Sequence, residues 1–304
     1  VLGRGVSATV EKMIRKRDQK VVAVKHIEAT GRQQNEAINR ELFVADQRRA
    51  AMQCTQGRQD YARHLVEVFG AFASDGDSNG GSGASIVMEL MAGSLGGGLP
   101  PMPEAVLAPV AKMLLKGLRF MHDDLKVMHR DLKPSNLLFD GEGTLKITDF
   151  GLSTRLAAPD ATTDKFVGSM MYMSPERLRG EAYGFPGDVF ALGVTVAHLA
   201  LGEHPLKAAL GADYHGPYEK RFWGIAAALR FNDDLASAAE ATRGAFEAAL
   251  AGQGCSPQLT DFVLRCVHAD PAARPTVAEL LQHPLCAGAS STGADAFLSW
   301  KNRL

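Results

Sequence analysis

The chain has 304 residues, 46% of them apolar and 22% charged, with a formal net charge of −1. That length and apolar content allow two compact units or one bilobal one and exclude wholesale disorder. The near-neutral balance argues against a strongly basic nucleic-acid face, so no nucleic-acid partner is expected.

In chain order, LGRGVSATV (2–10) contains G-x-G-x-x-A. Alone it reads as a turn or a dinucleotide fingerprint, and the fingerprint needs a strand before it and a helix after it. Almost nothing precedes Gly3 and strand-like residues follow. Two glycines let a backbone approach phosphate oxygens closely, and Ala8 in the third place should stiffen the loop. TVEKMI (9–14) and VVAVKHI (21–27) predict strands around the charged turn RKRDQK. Residues 33–52 predict a helix with Ile38, Leu42 and Ala45 on one face. LVEVFGAF (65–72) and SIVMELM (85–91) predict two more strands, joined by the flexible tip SDGDSNGGSG (74–83).

Composition then shifts. AGSLGGGLPPMP (92–103) reads as a connector, and helices follow. Residues 104–122 carry Val106, Val110, Met113, Leu114, Leu118 and Met121 on one face, with Pro109 expected in the first turn or at a kink. The run 188–201 is apolar nearly all round, hence central, but too short to span a bilayer, so no membrane insertion is expected. The Ala-rich 206–251 is helical by propensity, Thr276 and Glu279 form a capping box, and 287–304 reads as a tail. The cysteines, Cys54, Cys255, Cys266 and Cys286, include no C-x-x-C pair and fit a reduced, intracellular setting, the cytoplasm or the nucleus. No signal peptide opens the sequence. Cys266 and His268 could suggest a metal, but two buried helix residues account for them better. The expected organisation is a small β-rich unit (1–91), a larger helical unit (92–286) and a tail (287–304), with a ligand cleft between the units.

Charged residues cluster at three places. Lys25 ends a buried-looking strand beneath the Gly-rich loop and could reach phosphates if a carboxylate held it. Glu36 and Glu41 are available, and Glu41 is preferred because it flanks the apolar stripe. In KITDFG (146–151), Asp149 follows a short apolar strand, and Gly151 would permit an abrupt change of direction. HRDLKPSN (129–136) packs Asp131, Lys133 and Asn136 around Pro134. Asp131 can orient and deprotonate a hydroxyl, Lys133 can neutralise a transferring phosphoryl group, and Asn136 with Asp149 offers hard oxygen ligands for Mg²⁺. Phosphoryl transfer asks a protein mostly for such positioning and charge stabilisation.

GRGVSATV, VAVK, HRDLKPSN, DFG and SPE occur in the order and rough spacing of eukaryotic protein kinases, and the chain resembles that family from residue 2 to about 286. The resemblance implies an α+β, bilobal protein kinase fold and an ATP- and Mg²⁺-dependent enzyme. It implies that Leu2, Gly3, Arg4, Gly5, Val10, Ala23, Lys25 and Glu41 contact or support ATP. Asp131 would be the catalytic aspartate beside Lys133, with Asn136 and Asp149 on the metal. Glu176 would pair with Arg274, and Asp188 would brace the catalytic loop. Lys133 two residues after Asp131 is the Ser/Thr-class arrangement.

FVGSMMYMSPERL (166–178) and SIVMELMAGSL are similar to MAP kinase kinases in particular, which phosphorylate Thr and Tyr of a MAP kinase and answer to an upstream kinase. By that likeness Met88 is the gatekeeper, and Glu89 and Met91 present hinge backbone groups. A general Ser/Thr kinase and a pseudokinase binding module are the alternatives. The sequence departs from the group at Lys165, where a phosphorylated Ser often stands, which leaves Thr162 and Thr163 as regulatory sites. Thr148 precedes the DFG aspartate where some relatives carry Cys. Ser169 is expected to shape the substrate pocket. Ala45 is smaller than the apolar residue usual there, which should leave its helix mobile. Val1 leaves no room for a docking leader, as expected of a fragment.

Overall fold

β-branched and apolar residues alternate with charge at the start of the chain and pair into an antiparallel five-stranded sheet, ordered β1-β2-β3-β5-β4. Its strands are β1 (Gly3–Arg4), β2 (Ala8–Ile14), β3 (Val21–Glu28), β4 (Val68–Ser74) and β5 (Gly83–Glu89). The structure is a computed structural model that describes residues 1–4, 8–28, 32–54, 57–74, 83–158, 161–289 and 293–304. Central β3 sets Lys25 opposite Val10 on β2 and Ile86 on β5, and Ala23 opposite Met88. Helix α1 (Arg32–Met52) covers the sheet. Ile38, Ala45, Val66, Val68, Ile86, Met88 and Ala23 form one buried cluster, so Ala45 lies within packed core.

The fourth strand begins three residues later than its apolar run suggests. Leu65 instead makes a parallel bridge to Ile147, and the Val66 N–H donates to the Ile147 carbonyl at 2.9 Å. A segment that reads as strand thus ties the sheet to the helical part. Most of the tip at 74–83 lies outside the described residues.

The short helix α2 (Gln59–Ala62) precedes β4, and the chain passes through β6 (Gly93–Ser94) into α3 (Glu104–Arg119). Pro109 is in the second turn of α3, not the first, and the helix continues past it. A wide turn at Phe120–Asp124 ends that helix. Next come β7 (Val127–Met128), β8 (Leu137–Phe139), β9 (Leu145–Ile147) and β10 (Thr154–Arg155); β8 and β9 form a small sheet with β6, and β10 pairs with β7. The remaining helices are α4 (Pro175–Leu178), α5 (Pro186–Leu201), α6 (Lys207–Leu210), α7 (Tyr218–Leu229), α8 (Leu235–Gly252), α9 (Pro257–Cys266), α10 (Val277–Leu281), α11 (Pro284–Ala287) and α12 (Gly293–Lys301).

Helix α5 is buried on nearly every side and packs against α3, α8 and α9, as its all-round apolarity requires. The Ala-rich stretch is three α-helices and a short 3-10 turn (Gly211–His215), separated at Gly211, at Gly216–Pro217 and at Arg230, whose φ is +47°. The capping box at Thr276–Glu279 is present. Residues 293–301 are helical and pack on α3, with Phe297 and Trp300 buried and Phe139 edge-on to Phe297 at 5.1 Å. Cys266 is buried, whereas His268 is exposed and accepts from the Asp270 N–H; no cluster of three potential metal-ligating His, Cys, Asp or Glu side chains occurs among the described residues. Among those residues no helix is long and apolar enough to cross a membrane.

Candidate active site

Three charged side chains from three elements converge where the sheet meets the helical part. Lys25 Nζ on β3 lies 3.2 Å from Glu41 Oε1 on α1 and 2.8 Å from Asp149 Oδ1. Glu36, the other acid on that helix, pairs with Arg40 at 3.0 Å. Burial works against the charge on Lys25, but the two carboxylates outweigh it and hold its pKa above the ordinary lysine value. Burial pushes Glu41 upward, with the Asp149 charge adding and Lys25 opposing. Burial also opposes charge on Asp149, and Lys25 overcomes it, leaving that carboxyl below the usual range. The Asp149 side chain is 42% exposed against 3% for Glu41, so one carboxylate is walled in and the other faces solvent.

Asp149 reaches this position through a left-handed backbone, φ 66° and ψ 69°. Asp tolerates that region better than most residues, at a cost of roughly 1–2 kcal/mol. The expected hinge at Gly151 is therefore displaced: Gly151 is not in the positive-φ region, and the sharp change of direction is made at Asp149 itself. Phe150 is buried edge-on to His129 at 5.8 Å, and the Gly151 carbonyl accepts from Arg40.

The loop at 129–136 is held from beneath by Asp188 of α5. Its carboxylate accepts from the backbone N–H of His129 at 2.7 Å and of Arg130 at 2.8 Å, and from His122 Nε2 at 2.8 Å. Burial alone would raise the Asp188 pKa; His122 and the other donors bring it down to about 2. His129 donates from Nε2 to the Thr148 carbonyl, locking the loop to the segment that carries Asp149. The Asp131 carboxylate receives the Ser169 N–H at 2.7 Å, Asn136 Nδ2 at 3.0 Å and Lys133 Nζ at 2.8 Å. Lys133 also donates to Ser169 Oγ at 2.6 Å. The side-chain nitrogen of Asn136 is spent on Asp131, which leaves its side-chain oxygen Oδ1 without a partner among the described residues. That oxygen and the exposed Asp149 carboxylate are the donor chemistry a Mg²⁺ ion accepts.

Comparison with known proteins shows the family. The protein kinase domain family matches residues 1–286. The chain belongs to the protein kinase family. Its relatives include mitogen-activated protein kinase kinase 5 of Leishmania mexicana, 38% identical over 93% of the chain and 48% of that protein. Mitogen-activated protein kinase kinase 3 of Arabidopsis thaliana is 32% identical over 93% of the chain and 48% of that protein. Mitogen-activated protein kinase kinase 1c of Physcomitrium patens is 32% identical over 93% of the chain and 74% of that protein. The chain thus spans about half the length of the first two relatives.

In this kinase chain the Gly-rich segment is only partly described. The Leu2 N–H donates to the Val10 carbonyl at 2.7 Å, Gly3 pairs with Val10, and Arg4 pairs with Thr9. Gly5 lies outside the described residues, and so does the side chain of Arg4. Val10 packs against the cluster containing Ala23 and Met88, and so does Leu138 of β8, which the sequence reading did not single out. Its only signal was an apolar residue just past the 129–136 loop. Glu89 is tied inward: its N–H donates to the Glu67 carbonyl and its carboxylate holds Lys146 at 2.7 Å. Two residues on, the Met91 N–H has no partner among the described residues. Thr162 is exposed, and the Thr163 backbone exchanges both hydrogen bonds with Tyr183 at 2.9 Å. Glu176 and Arg274 form a buried two-pronged pair at 2.7 and 2.8 Å. Cavities of about 320 and 460 Å³ lie elsewhere, sharing Asp60, Arg63 and Thr144 in their linings, and touch none of the candidate residues.

Proposed function

We propose that the chain is the catalytic domain of an ATP-dependent protein kinase that phosphorylates Thr and Tyr of a MAP kinase. The observation that carries this reading is the bridge from Lys25 to Glu41 and Asp149, which brings a cation and a solvent-facing carboxylate together. In this reading the N-terminal lobe is 1–91 and the C-terminal lobe 92–286.

Leu2, Gly3, Arg4, Gly5 and Val10 form the roof over the nucleotide. Ala23, Met88 and Leu138 give the adenine an apolar slot, and the backbone groups of Glu89 and Met91 edge it. Lys25, steadied by Glu41, contacts the phosphates. Asn136 and Asp149 would hold Mg²⁺, which supplies charge neutralisation on the phosphate oxygens. Asp131, fixed by donors on both oxygens, orients the acceptor hydroxyl and takes its proton, while Lys133 balances charge on the transferring group. Substituting Asp131 by Asn removes transfer and spares nucleotide binding.

Arg130 supports a switch at Thr162 or Thr163. It donates from Nε to the Leu152 carbonyl and from Nη2 to the Ser153 carbonyl, but its buried Nη1 has no hydrogen-bond partner among the described residues. Burial lowers the pKa of this guanidinium from its ordinary value, as expected of a cation short of a counter-charge. A phosphate placed by an upstream kinase on either threonine would supply one. Normal activation of the Thr162→Ala/Thr163→Ala variant by the upstream kinase sinks this switch.

The deciding experiment incubates the chain with inactive MAP kinases and MgATP, followed by site mapping. Phosphate on both Thr and Tyr of the activation loop supports the reading. Phosphate on Ser or Thr alone makes it a general Ser/Thr kinase, and transfer to nothing with retained ATP binding makes it a binding module. An intracellular, cytoplasmic setting goes with this role.

A further inference from the structure

Between Thr163 and Ser169 the activation segment crosses an exposed surface, yet it is anchored along its length by groups that need no phosphate. The Thr163 N–H and carbonyl both bond to the Tyr183 backbone at 2.9 Å. The Tyr183 phenol donates to the Lys165 carbonyl at 2.7 Å. Arg177 stacks its guanidinium over the Tyr183 ring at 4.8 Å and donates from Nη2 both to the Val167 carbonyl and to the Arg130 carbonyl at 2.9 Å. Gly168, at φ +104°, brings the strip so near the catalytic loop that a Cβ there would lie 2.4 Å from the Arg130 carbonyl oxygen. Ser169 then reaches Asp131 and Lys133. Tyr183 itself is 3% exposed, buried with Met128 and Leu156.

We propose that Tyr183 is a positioning residue that, with Arg177 stacked on its ring, straps residues 163–169 against the catalytic loop and so holds the seat of the protein substrate's acceptor segment before any phosphorylation. The inference rests on the kinase reading above and deepens it. The strap is a chain of single contacts, each adding to the next: backbone pairing at Thr163, a phenol bond at Lys165, an arginine bridge at Val167, and the catalytic carboxylate at Ser169. Its arginine bridges the same loop whose Arg130 awaits a counter-charge, and the Tyr183 phenol also interacts with the Arg130 guanidinium, so strap and switch meet at Arg130. Phosphate at Thr162 or Thr163 then changes turnover more than it changes the fit of the protein substrate.

The test is Tyr183→Phe, which keeps the ring, its burial and the arginine stacking and removes the phenol oxygen, with its bond to Lys165 and its interaction with the Arg130 guanidinium. A neutral hydrogen bond of this type corresponds to about a three- to tenfold effect. The expected result in unphosphorylated protein is a rise of that size in KM for the protein substrate, with KM for ATP unchanged. Amide exchange at Thr163 and Ser169, slow in the wild type, should accelerate to a similar degree. Unchanged substrate KM and unchanged exchange in Tyr183→Phe overturn the proposal. A parallel loss of ATP affinity also overturns it, because it marks general damage. So does a wild-type Thr163 amide that exchanges like a free peptide until the segment is phosphorylated. A wild type whose strip is protected but which transfers no phosphate under any condition leaves the strap standing and sinks the kinase reading instead.

Discussion

Among the ion pairs that join distant parts of the chain, Arg274–Glu176 and the Lys25 cluster are built on opposite terms. Arg274 and Glu176 lie in the helical part with side chains 0% and 3% exposed. All five N–H groups of Arg274 are used: on both Glu176 oxygens and on the carbonyls of His268, Pro186 and Ala269. Glu176 also accepts from Ser174 Oγ, and the guanidinium lies over the Phe190 ring at 5.1 Å. Nothing is left over for a ligand. The Lys25 cluster is unfinished by comparison, since Asp149 keeps one carboxylate oxygen without a partner among the described residues and faces solvent. A saturated pair fixes architecture, and an unsaturated one retains capacity for a substrate.

That contrast breaks most sharply at Arg274→Ala. Removing one member of a buried, fully bonded pair strands the other, at a cost of about 3–5 kcal/mol. Thermal or urea unfolding should show it, and a cost below about 1 kcal/mol would mean the pair is a surface one in disguise. Lys25→Met is the mirror experiment. Phosphotransfer should fall at least about 100-fold, roughly 2.7 kcal/mol of transition-state stabilisation. Stability should fall by less than for Arg274→Ala. Asp149 is open to water, and Glu41, already pushed upward by burial, can take a proton once its partner is gone. Equal stability losses in the two variants would erase the distinction.

Asp188 gives a pH test of the architectural side. Its folded pKa of about 2 lies below the ordinary aspartate value, so its contribution is fully present above about pH 4 and is lost as pH falls toward 2. The shift corresponds to about 2 kcal/mol. Stability of the wild type should therefore drop between pH 4 and 2 more steeply than that of Asp188→Asn, which has no carboxyl to protonate at this site. Parallel acid profiles for the two proteins would show that the carboxylate does not hold the catalytic loop as an anion.

Legibility in the sequence followed the same division. Residues whose role depends on local order were readable: the strand that carries Lys25, the helix face that carries Glu41, and the short loop that spaces Asp131, Lys133 and Asn136. The late start of β4 and the bridge from Leu65 to Ile147 were not, because tertiary pairing overrode local pattern there. Tyr183 and Arg177 carried no signal at all. A tyrosine near a glycine and an arginine after SPE look ordinary until the fold stacks one on the other and lays the activation segment across both. Residues 287–304 looked like a tail, yet Phe297 and Trp300 are buried and seat α12 on α3.

Two glycines beside the candidate site differ in the same way. Gly168 sits at a backbone angle that a side chain resists, against a carbonyl that cannot move without the catalytic loop. Gly151 has neither constraint. A Cβ there would meet the Ala37 Cβ at 3.5 Å, an ordinary contact, and the turn it was expected to make is made by Asp149. Gly151→Ala should therefore change stability by no more than about 0.5 kcal/mol, read from the urea midpoint at constant slope. A loss above about 2 kcal/mol would return the hinge to Gly151 and imply that the segment visits a second backbone state in which only glycine fits.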